Sequence, residues 1–442
     1  MPVTEILSRK YSERGIDPRD RALADEIALG SVRHRASLDA VLAKFSKKRL
    51  WKLNAPVLEV LRQGAYQLLF LDRVPAHAAV GEAVKLAKRW FGASAGGFVN
   101  GVLRAVERSS EGKVDAPPGE RGRSSVYWRG ERAAALGREV LPNPVRDLGR
   151  FLGERYSQDK EFVRKLVKLF GEERAEGICR WADELPPLTV RVNPLKVEGE
   201  GEAEGEAAEM FRGADSWERA EELPCAWRLS STGSPARLEG LSAGLFSVQD
   251  WTAQQAVRAL APRPGETVLD LCAAPGTKTC QAAELMGDEG TILAVDSVEA
   301  RLERVRENAG RLGVTIVETR CADGREAALD HPGEFDRVLV DVPCSNSGVM
   351  NRRVEARWRR LGREEISRIT ALQAELLSAA LVAARPGGRV VYSTCSILPE
   401  ENSELVAHVL AGIADCDLAG EEAFAPETGL RDGGYVAVIE RR

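Results

Sequence analysis

From residue 267 onward, the chain alternates short apolar segments with helical ones. The segments 267–271, 291–295, 335–342 and 388–392 are apolar over the length of a strand that is buried on both faces. Strands that alternate with helices in this way form a mostly parallel sheet with right-handed crossovers. The carboxyl ends of such strands open onto one crevice, where ligands bind. The sequence therefore predicts an α/β domain whose functional residues follow its strands.

Two cysteines follow two of these predicted strands. Cys344 lies in the segment DVPCS at 341–345, and Cys395 lies in the segment YSTCS at 392–396. Alone, either thiol could be a small buried residue of the core. Two thiols at the mouth of one crevice indicate nucleophilic chemistry instead, because a thiolate is intrinsically very nucleophilic.

The loop after the first predicted strand has the composition of a nucleoside site. Its residues 272–279, CAAPGTKT, are small and lead into a helix, so the backbone can approach a ligand and the helix N-terminus can face a carboxylate. Asp296 ends the next strand, where it can accept both hydroxyls of a ribose. A further predicted strand, 314–319, precedes Asp323, and Asp341 lies at the end of the strand 335–342. The Gly-x-Gly-x-x-Gly loop of dinucleotide sites is absent, which argues against a dinucleotide.

The length and the cysteine spacing limit the class of protein. A chain of 442 residues is too long for one hydrophobic core and indicates two or three domains. The first 11 residues lack the apolar part of a signal peptide, and no segment of about 18 apolar residues is present to span a membrane. The eight cysteines form no Cys-x-x-Cys pair and no cluster with histidine. We expect a monomeric cytoplasmic protein with neither a metal nor a membrane as a partner.

The net charge of −5 is unevenly distributed. Residues 1–110 contain 19 Lys and Arg against 11 Asp and Glu, which gives +8, and the remaining 332 residues carry −13. Phosphate binding needs only a local basic face, so this excess is compatible with a nucleic-acid partner. The basic residues within 44–52 are equally consistent with a solvated helix end. Charge alone leaves both interpretations open.

The patterns along the chain predict three domains and a linker. Residues 1–110 show helical apolar spacing without a convincing strand, which predicts an all-helical domain. Residues 111–139 begin with a segment rich in proline, glycine and charge and are predicted to be a linker. Residues 140–240 are predicted to form a small α/β subdomain, and residues 241–442 the α/β domain with the parallel sheet.

Two sets of motifs resemble known families. The segments LRQGAYQLLFL at 61–71, VPAHAAV at 74–80 and GFVNGVLR at 97–104 resemble the RNA-binding antitermination factor NusB. The C-terminal region resembles S-adenosylmethionine-dependent RNA cytosine-5 methyltransferases through DLCAAPGTK at 270–278 and TCS at 394–396, and through Asp341 to Cys344. The resemblance implies a NusB-like all-α domain, a small α/β middle subdomain and a Rossmann-like methyltransferase domain.

The resemblance also implies roles for individual residues. The cofactor S-adenosyl-L-methionine is expected at Cys272, Ala273, Ala274, Pro275, Gly276, Thr277, Lys278, Asp296, Asp323 and Asp341. The implied nucleophile is Cys395, with Cys344 assisting product release. Asp341 would contact the target base, and Lys278 would orient Asp341. The thiols of Cys272 and Cys280 are expected to be small fillers of a crowded turn and helix.

Two departures from the family pattern affect the expected site. Thr277 replaces a glycine of the cofactor loop and is expected to be accommodated as the first residue of a helix. The segment DGGY at 432–435 keeps only part of the family's closing motif.

Three functions remain open from the sequence. The fusion of the two regions resembles bacterial 16S ribosomal RNA cytosine-5 methyltransferases, which makes 16S rRNA the leading RNA partner. The same chemistry on tRNA is a second possibility. A non-catalytic RNA-binding factor is the third, although a binder has no need of both Cys344 and Cys395 in one crevice.

Overall fold

The computed structural model describes residues 3–116, 119, 122–185, 187–198, 204–220, 223–230, 235–428 and 431–442. The chain divides into two compact units. The first unit comprises residues 1–185 and 350–360, and the second comprises residues 186–349 and 361–442. Each unit therefore contains chain segments that are distant in the sequence.

The first unit begins with five helices, as predicted for residues 1–110. They are α1 (Val3–Arg14), α2 (Pro18–Arg33), α3 (Arg35–Phe45), α4 (Ala55–Phe70) and α5 (Ala76–Ser109). The apolar stripes of α3, α4 and α5 form its core, with Leu38, Leu61 and Leu103 all fully buried. Gly92 interrupts α5 with a non-helical backbone at φ 83° and ψ 174°.

The predicted linker at 111–139 instead contains a small antiparallel sheet. Its strands are β1 (Ser110–Asp115), β2 (Ser125–Arg129) and β3 (Arg132–Leu136), in the order β1–β3–β2. The strands have only five or six residues, and β3 is rich in alanine, so the sequence carries little strand signal. Val126 and Tyr127 of β2 are nevertheless fully buried. Residues 117–118 and 120–121 lie outside the described part of the chain.

The region 140–240 does not form one subdomain, because the two units share it. Its helices α6 (Leu148–Arg155) and α7 (Lys160–Asp183) belong to the first unit. The rest belongs to the second unit, where a four-stranded antiparallel sheet has the order β5–β6–β4–β7. The elements of this part are β4 (Leu188–Val192), α8 (Glu204–Met210), β5 (Ser216–Arg219), β6 (Ala226–Ser230), α9 (Glu239–Ser242) and β7 (Phe246–Val248).

The main sheet of the second unit, together with the helices around it, confirms the predicted α/β fold. Its elements are α10 (Trp251–Leu260), β8 (Thr267–Leu271), α11 (Thr277–Leu285), β9 (Thr291–Asp296), α12 (Glu299–Leu312), β10 (Val317–Cys321), α13 (Gly324–Leu329), β11 (Phe335–Asp341), α14 (Arg363–Ala383), β12 (Ala384–Thr394), α15 (Ser403–Leu410), β13 (Cys416–Phe424) and β14 (Gly434–Arg441). The strand order is β10–β9–β8–β11–β12–β14–β13. The first five strands are parallel, and β14 runs antiparallel to both of its neighbours, β12 and β13. The order reverses between β8 and β11, which is where a ligand crevice is expected.

One helix of the described chain is long and apolar enough to cross a membrane by length and composition. This helix is α14. Its buried residues include Ile369, Leu377 and Ala380, and it packs against β11 and β12. The apolar character of α14 is accounted for by this packing against the sheet.

Candidate active site

The loop between β8 and α11 lies at the switch point of the strand order. It covers residues 272–276, and Ala273 N donates to Val295 O of β9 at 2.9 Å. Gly276 has φ 93°, in the left-handed region, and α11 begins at the next residue. Thr277 is therefore the first residue of the helix, as expected, and the loop residues with positive φ are the retained glycine and Cys272, at φ 64°.

Asp341 ends β11, and both of its carboxylate oxygens are hydrogen-bonded. Lys278 of α11 donates from Nζ to Oδ2 at 2.6 Å, and Ser393 of β12 donates from Oγ to Oδ1 at 2.7 Å. Burial by itself lowers the pKa of Lys278, but the adjacent Asp341 carboxylate and its hydrogen bond outweigh burial, so the pKa is raised. Lys278 and Asp341 form a charged pair at the strand ends.

The structure brings the two cysteines that follow β11 and β12 into contact. The Sγ atoms of Cys344 and Cys395 lie 3.1 Å apart. Cys395 Sγ also donates to Oδ1 of Asn346 at 3.3 Å, and the Asn346 side-chain amide donates to the Cys344 carbonyl at 3.2 Å. The hydrogen bond with Cys395, together with burial, raises the pKa of Cys344 well above that of an ordinary thiol. Cys344 therefore keeps its proton at neutral pH.

A buried carboxylate that the sequence interpretation missed joins the two cysteine loops. The Glu401 side chain accepts from Ser345 N at 2.8 Å and from Ser396 Oγ at 2.6 Å. It also accepts from the side-chain amide of Gln373 at 3.1 Å, and Glu401 is fully buried. Ser345 and Ser396 each follow one of the cysteines, so one carboxylate fixes both loops. Local spacing gave no signal for Glu401, since its partners are up to 56 residues away.

Asp270, in β8, is a second buried acid beside the loop. Thr279 Oγ1 donates to its Oδ2 at 2.6 Å, and Asp270 is 2% exposed. Burial raises the pKa of Asp270 to about 7, although the Thr279 hydrogen bond opposes this shift. Asp270 therefore exchanges its proton near neutral pH.

Asp296 and Asp323 lie at two neighbouring strand ends, in different environments. Oδ1 of buried Asp296 accepts from Val298 N at 3.1 Å, whereas Oδ2 has an ion pair with Arg301 at 3.1 Å but accepts no hydrogen bond within the described residues. Asp323 caps α13 and accepts from the Arg325 side chain at 2.9 and 2.6 Å. These bonds lower the pKa of Asp323 to about 2. An arginine therefore engages each acid, although Oδ2 of Asp296 has only an ion pair and can still accept a hydrogen bond from a ligand.

A cavity of about 210 Å³ adjoins the loop and the charged pair. Its lining includes the predicted residues Cys272, Ala273, Ala274, Pro275, Thr277, Lys278 and Asp341, together with Asp270. It does not include Gly276, Asp296 or Asp323. The small side chains of the loop, and Oδ2 of Asp296, which accepts no hydrogen bond from the described residues, fit a nucleoside at these strand ends. Among the described residues, no cluster of metal-ligating side chains occurs.

Comparison with known proteins decides the family. Residues 2–108 match the NusB family, and residues 257–433 match the family described as 16S rRNA methyltransferase RsmB/F. The ribosomal RNA small subunit methyltransferase B of Pseudomonas syringae pv. tomato is 34% identical over 435 residues, which cover 94% of this chain and 85% of that protein. This chain belongs to the RsmB/F methyltransferase family. It is an RNA methyltransferase with a NusB-type domain at its N-terminal end.

Two solved structures have the fold of this RsmB/F protein. The crystal structure of PH0851 has a TM-score of 0.76 at 23% identity, and the match covers 98% of this chain and 93% of that one. A methyltransferase homologue from Pyrococcus horikoshii has a TM-score of 0.57 at 28% identity. That match covers 66% of this chain and 98% of the homologue.

The partial closing motif of this RsmB/F protein, at 432–435, lies against the Cys395 loop. Gly433 N donates to Gly348 O at 2.7 Å, and Gly348 N donates to Cys395 O at 2.9 Å. A Cβ added at Gly348 would lie 2.3 Å from Gly433 O, so the backbones are in direct contact. The closing segment therefore supports the loop of Cys395 although it keeps only part of the family motif.

Proposed function

We propose that the protein transfers a methyl group from S-adenosyl-L-methionine to carbon 5 of a specific cytosine in RNA, and that 16S rRNA is the substrate. The observation that carries the proposal is the contact between Cys344 and Cys395, 3.1 Å apart at adjacent strand ends. Family membership supports the choice of RNA. This substrate would be met in the cytoplasm.

The cofactor would be held by the loop 272–278 and by Asp296. Oδ2 of Asp296, which Arg301 contacts only as an ion pair, can accept from a ribose hydroxyl, and the loop backbone allows close approach. S-adenosyl-L-methionine supplies an electrophilic methyl group. Asp323 contributes only if its bonds with Arg325 rearrange.

Cys395 is proposed as the nucleophile that adds to carbon 6 of the cytosine. The bond to sulfur removes the aromaticity of the ring and makes carbon 5 able to attack the methyl group. The raised pKa of Cys344 keeps its proton in place, so Cys344 is poorly suited to make the first attack. Its thiol can instead donate a hydrogen bond to the Cys395 sulfur.

The Lys278–Asp341 pair is proposed to orient the base. Both carboxylate oxygens of Asp341 are held by Lys278 and Ser393, so the carboxylate has a fixed position. It can accept hydrogen bonds from the 4-amino group and from N3, which would take up the proton that the Cys395 thiol releases as its sulfur adds and return it when the sulfur leaves.

Cys344 is proposed to take part in release. The largest cause of its raised pKa is its hydrogen bond with Cys395, and bonding of Cys395 to the base removes that cause. Cys344 then loses its proton more readily and can remove the carbon 5 proton, directly or through water. Elimination of the Cys395 sulfur restores the aromatic ring.

Single-cysteine variants test this mechanism. Cys344→Ala should methylate RNA once and remain covalently attached, so a denaturing gel should show a protein–RNA complex. Cys395→Ala and the double variant should show neither the complex nor methyl transfer, while each retains cofactor binding by calorimetry. Cys321→Ala, which removes an exposed thiol outside the cysteine pair, is the matched control and should behave as the parent.

The denaturing gel tests the roles of the two cysteines, and sequencing of the RNA tests the identity of the substrate. A trapped complex with Cys395→Ala would reverse the two assignments, and normal methylation by Cys395→Ala would remove the covalent mechanism. Bisulfite sequencing of RNA from a deletion strain identifies the substrate. Loss of a methylated cytosine from tRNA rather than 16S rRNA would change the substrate and keep the chemistry.

A further inference from the structure

The first unit contains a groove of about 930 Å³. The groove is bounded by α3, by the connection from α3 to α4, by α6 and by the start of α7. Small residues, including Ala36, Ala43 and Gly153, line part of it and leave room for a ligand. We refer to it as the α3–α7 groove.

The α3–α7 groove is lined by more positive than negative side chains. Five exposed cations line it and form no ion pair with any residue in the described ranges: Lys44, Lys47, Lys48, Arg49 and Lys160. The acidic residues of the groove are already engaged, Asp39 by Arg62, Glu154 by Arg150, and Asp147 and Asp159 by backbone N–H groups of α6 and α7. The groove therefore favours an anionic ligand such as a phosphate chain.

An exposed tryptophan lies among these cations. Trp51 lines the groove with 74% of its surface exposed, which is unusual for so large an apolar side chain. The Arg49 guanidinium lies 5.1 Å from the centre of its ring. Aromatic rings beside cations are the means by which proteins bind unpaired nucleobases, because any base can stack on the ring.

A buried amide in the wall of the groove also lacks a partner. Gln158 is 2% exposed, and within the described residues neither its Oε1 nor its Nε2 has a hydrogen-bond partner. A buried polar group without a partner costs free energy. A nucleobase edge carries both donors and acceptors and can satisfy such an amide.

We infer that the α3–α7 groove binds a short single-stranded segment of RNA. Its phosphates lie against Lys47, Arg49 and Lys160, and one base stacks on Trp51. Single-stranded RNA is favoured over a duplex because a duplex keeps the faces of its bases covered. The inference rests on the proposed function for the presence of RNA, and it adds where on the first unit the RNA is held.

Binding of a fluorescently labelled ten-nucleotide RNA to the full-length protein tests the inference. Trp51→Ala should weaken binding roughly 5- to 150-fold, the range for loss of one stacked base. Trp90→Ala, which removes another exposed tryptophan that does not line the groove, is the matched control and should leave binding unchanged.

Lys47→Glu and Lys160→Glu should each lower the salt dependence of binding, by a slope of about 0.7 for each phosphate that the protein no longer neutralises. Lys168→Glu makes the same charge change on the exposed surface of α7 outside the groove.

The outcomes separate this site from the proposed function. Equal binding by Trp51→Ala and the parent, or equal effects of Trp51→Ala and Trp90→Ala, would overturn the groove as an RNA site. Stronger binding of a matched duplex than of the single strand would also overturn it. Failure of the parent to methylate any RNA would instead contradict the proposed function. Trp51→Ala should raise the KM for RNA and leave kcat and cofactor affinity unchanged.

Discussion

At the scale of single residues, Glu401 joins the loops of the two thiols without contacting either sulfur atom. Its carboxylate receives three hydrogen bonds, two of them from the residues that follow Cys344 and Cys395. Its own backbone carbonyl accepts from Tyr392 at 2.6 Å. Because all these groups are buried, each bond is costly to lose. Glu401 is therefore a positioning residue for the cysteine pair.

Replacement of Glu401 should affect turnover more than RNA binding. In Glu401→Gln the new NH₂ group would face other donors, which should lower stability by about 1–3 kcal/mol. We expect kcat to fall by at least about tenfold, equivalent to about 1.4 kcal/mol, with little change in the KM for RNA. Glu404→Gln makes the same change at an exposed position of α15 and should change neither stability nor kcat. An unchanged kcat in a folded Glu401→Gln protein would contradict this role.

Asp270 should make stability depend on pH. Its folded-state pKa of about 7 lies above the ordinary value of an aspartate, so the folded protein holds this proton more tightly than the unfolded chain. The free energy of unfolding should therefore fall as pH rises from about 4 to 7, and this contribution should level off above pH 7. Denaturant titrations of the parent and of Asp270→Asn at several pH values measure it. The variant should lose this slope, and an identical slope in both proteins would exclude Asp270 as its source.

At the scale of elements, the turn from β8 into α11 places the cofactor loop. Gly276 has φ 93°, and a Cβ there would lie 3.0 Å from Cα and Cγ1 of Val305 in α12. The turn therefore requires glycine both for its backbone conformation and for the close approach of a neighbouring helix.

Two glycine substitutions separate these requirements. Gly287→Ala changes a residue with φ 64° and no atom within 4 Å of the added Cβ, so it should cost about 1–2 kcal/mol, for the backbone alone. Gly276→Ala should cost a further 1–3 kcal/mol or so, because the contact with Val305 is added. It should also weaken cofactor binding. Chemical denaturation measures the change in stability, and calorimetry measures the change in cofactor binding. Equal losses of stability in the two variants would show that Val305 moves away from the added Cβ at no cost in free energy.

At the scale of the whole molecule, the first unit is completed by a segment from far along the chain. Arg357 of the segment 350–360 forms a fully buried ion pair with Asp183, the last residue of α7. Trp358 of the same segment donates from Nε1 to Val32 O at 2.8 Å. A fragment that ends at residue 110 or 185 therefore lacks a structural part of this unit.

Removal of one partner from the buried ion pair should strongly lower the stability of the protein. Arg357→Ala should lower stability by about 3–5 kcal/mol, because it leaves Asp183 buried and unpaired. The double change Arg357→Met with Asp183→Leu should recover much of this loss. Arg360→Ala, at an exposed position of the same segment, is the control. Thermal unfolding of the four proteins measures the differences, and a stable Arg357→Ala protein would show that the pair does not hold the segment.

The sequence by itself determined the elements whose signal is local. The parallel strands were predictable because strands buried on both faces are continuously apolar, and 267–271 coincides with β8. The helices of residues 1–110 were predictable from their apolar spacing. The strand ends also located Asp341, Cys344 and Cys395, because a residue that follows a parallel strand has only one edge on which to lie.

Tertiary structure alone decided which distant segments meet. Glu401 joins the cysteine loops, the segment 350–360 completes the first unit, and α3 and α7 form two walls of one groove. The small sheet within 110–136 was missed because its short strands depend on burial against the helical unit. The periodicity of apolar residues indicates which face of a helix or strand is buried, but not which other segment packs against that face. The partner is selected by long-range packing and by the hydrogen bonding of buried polar groups, and neither is recorded in the spacing of residues along the chain.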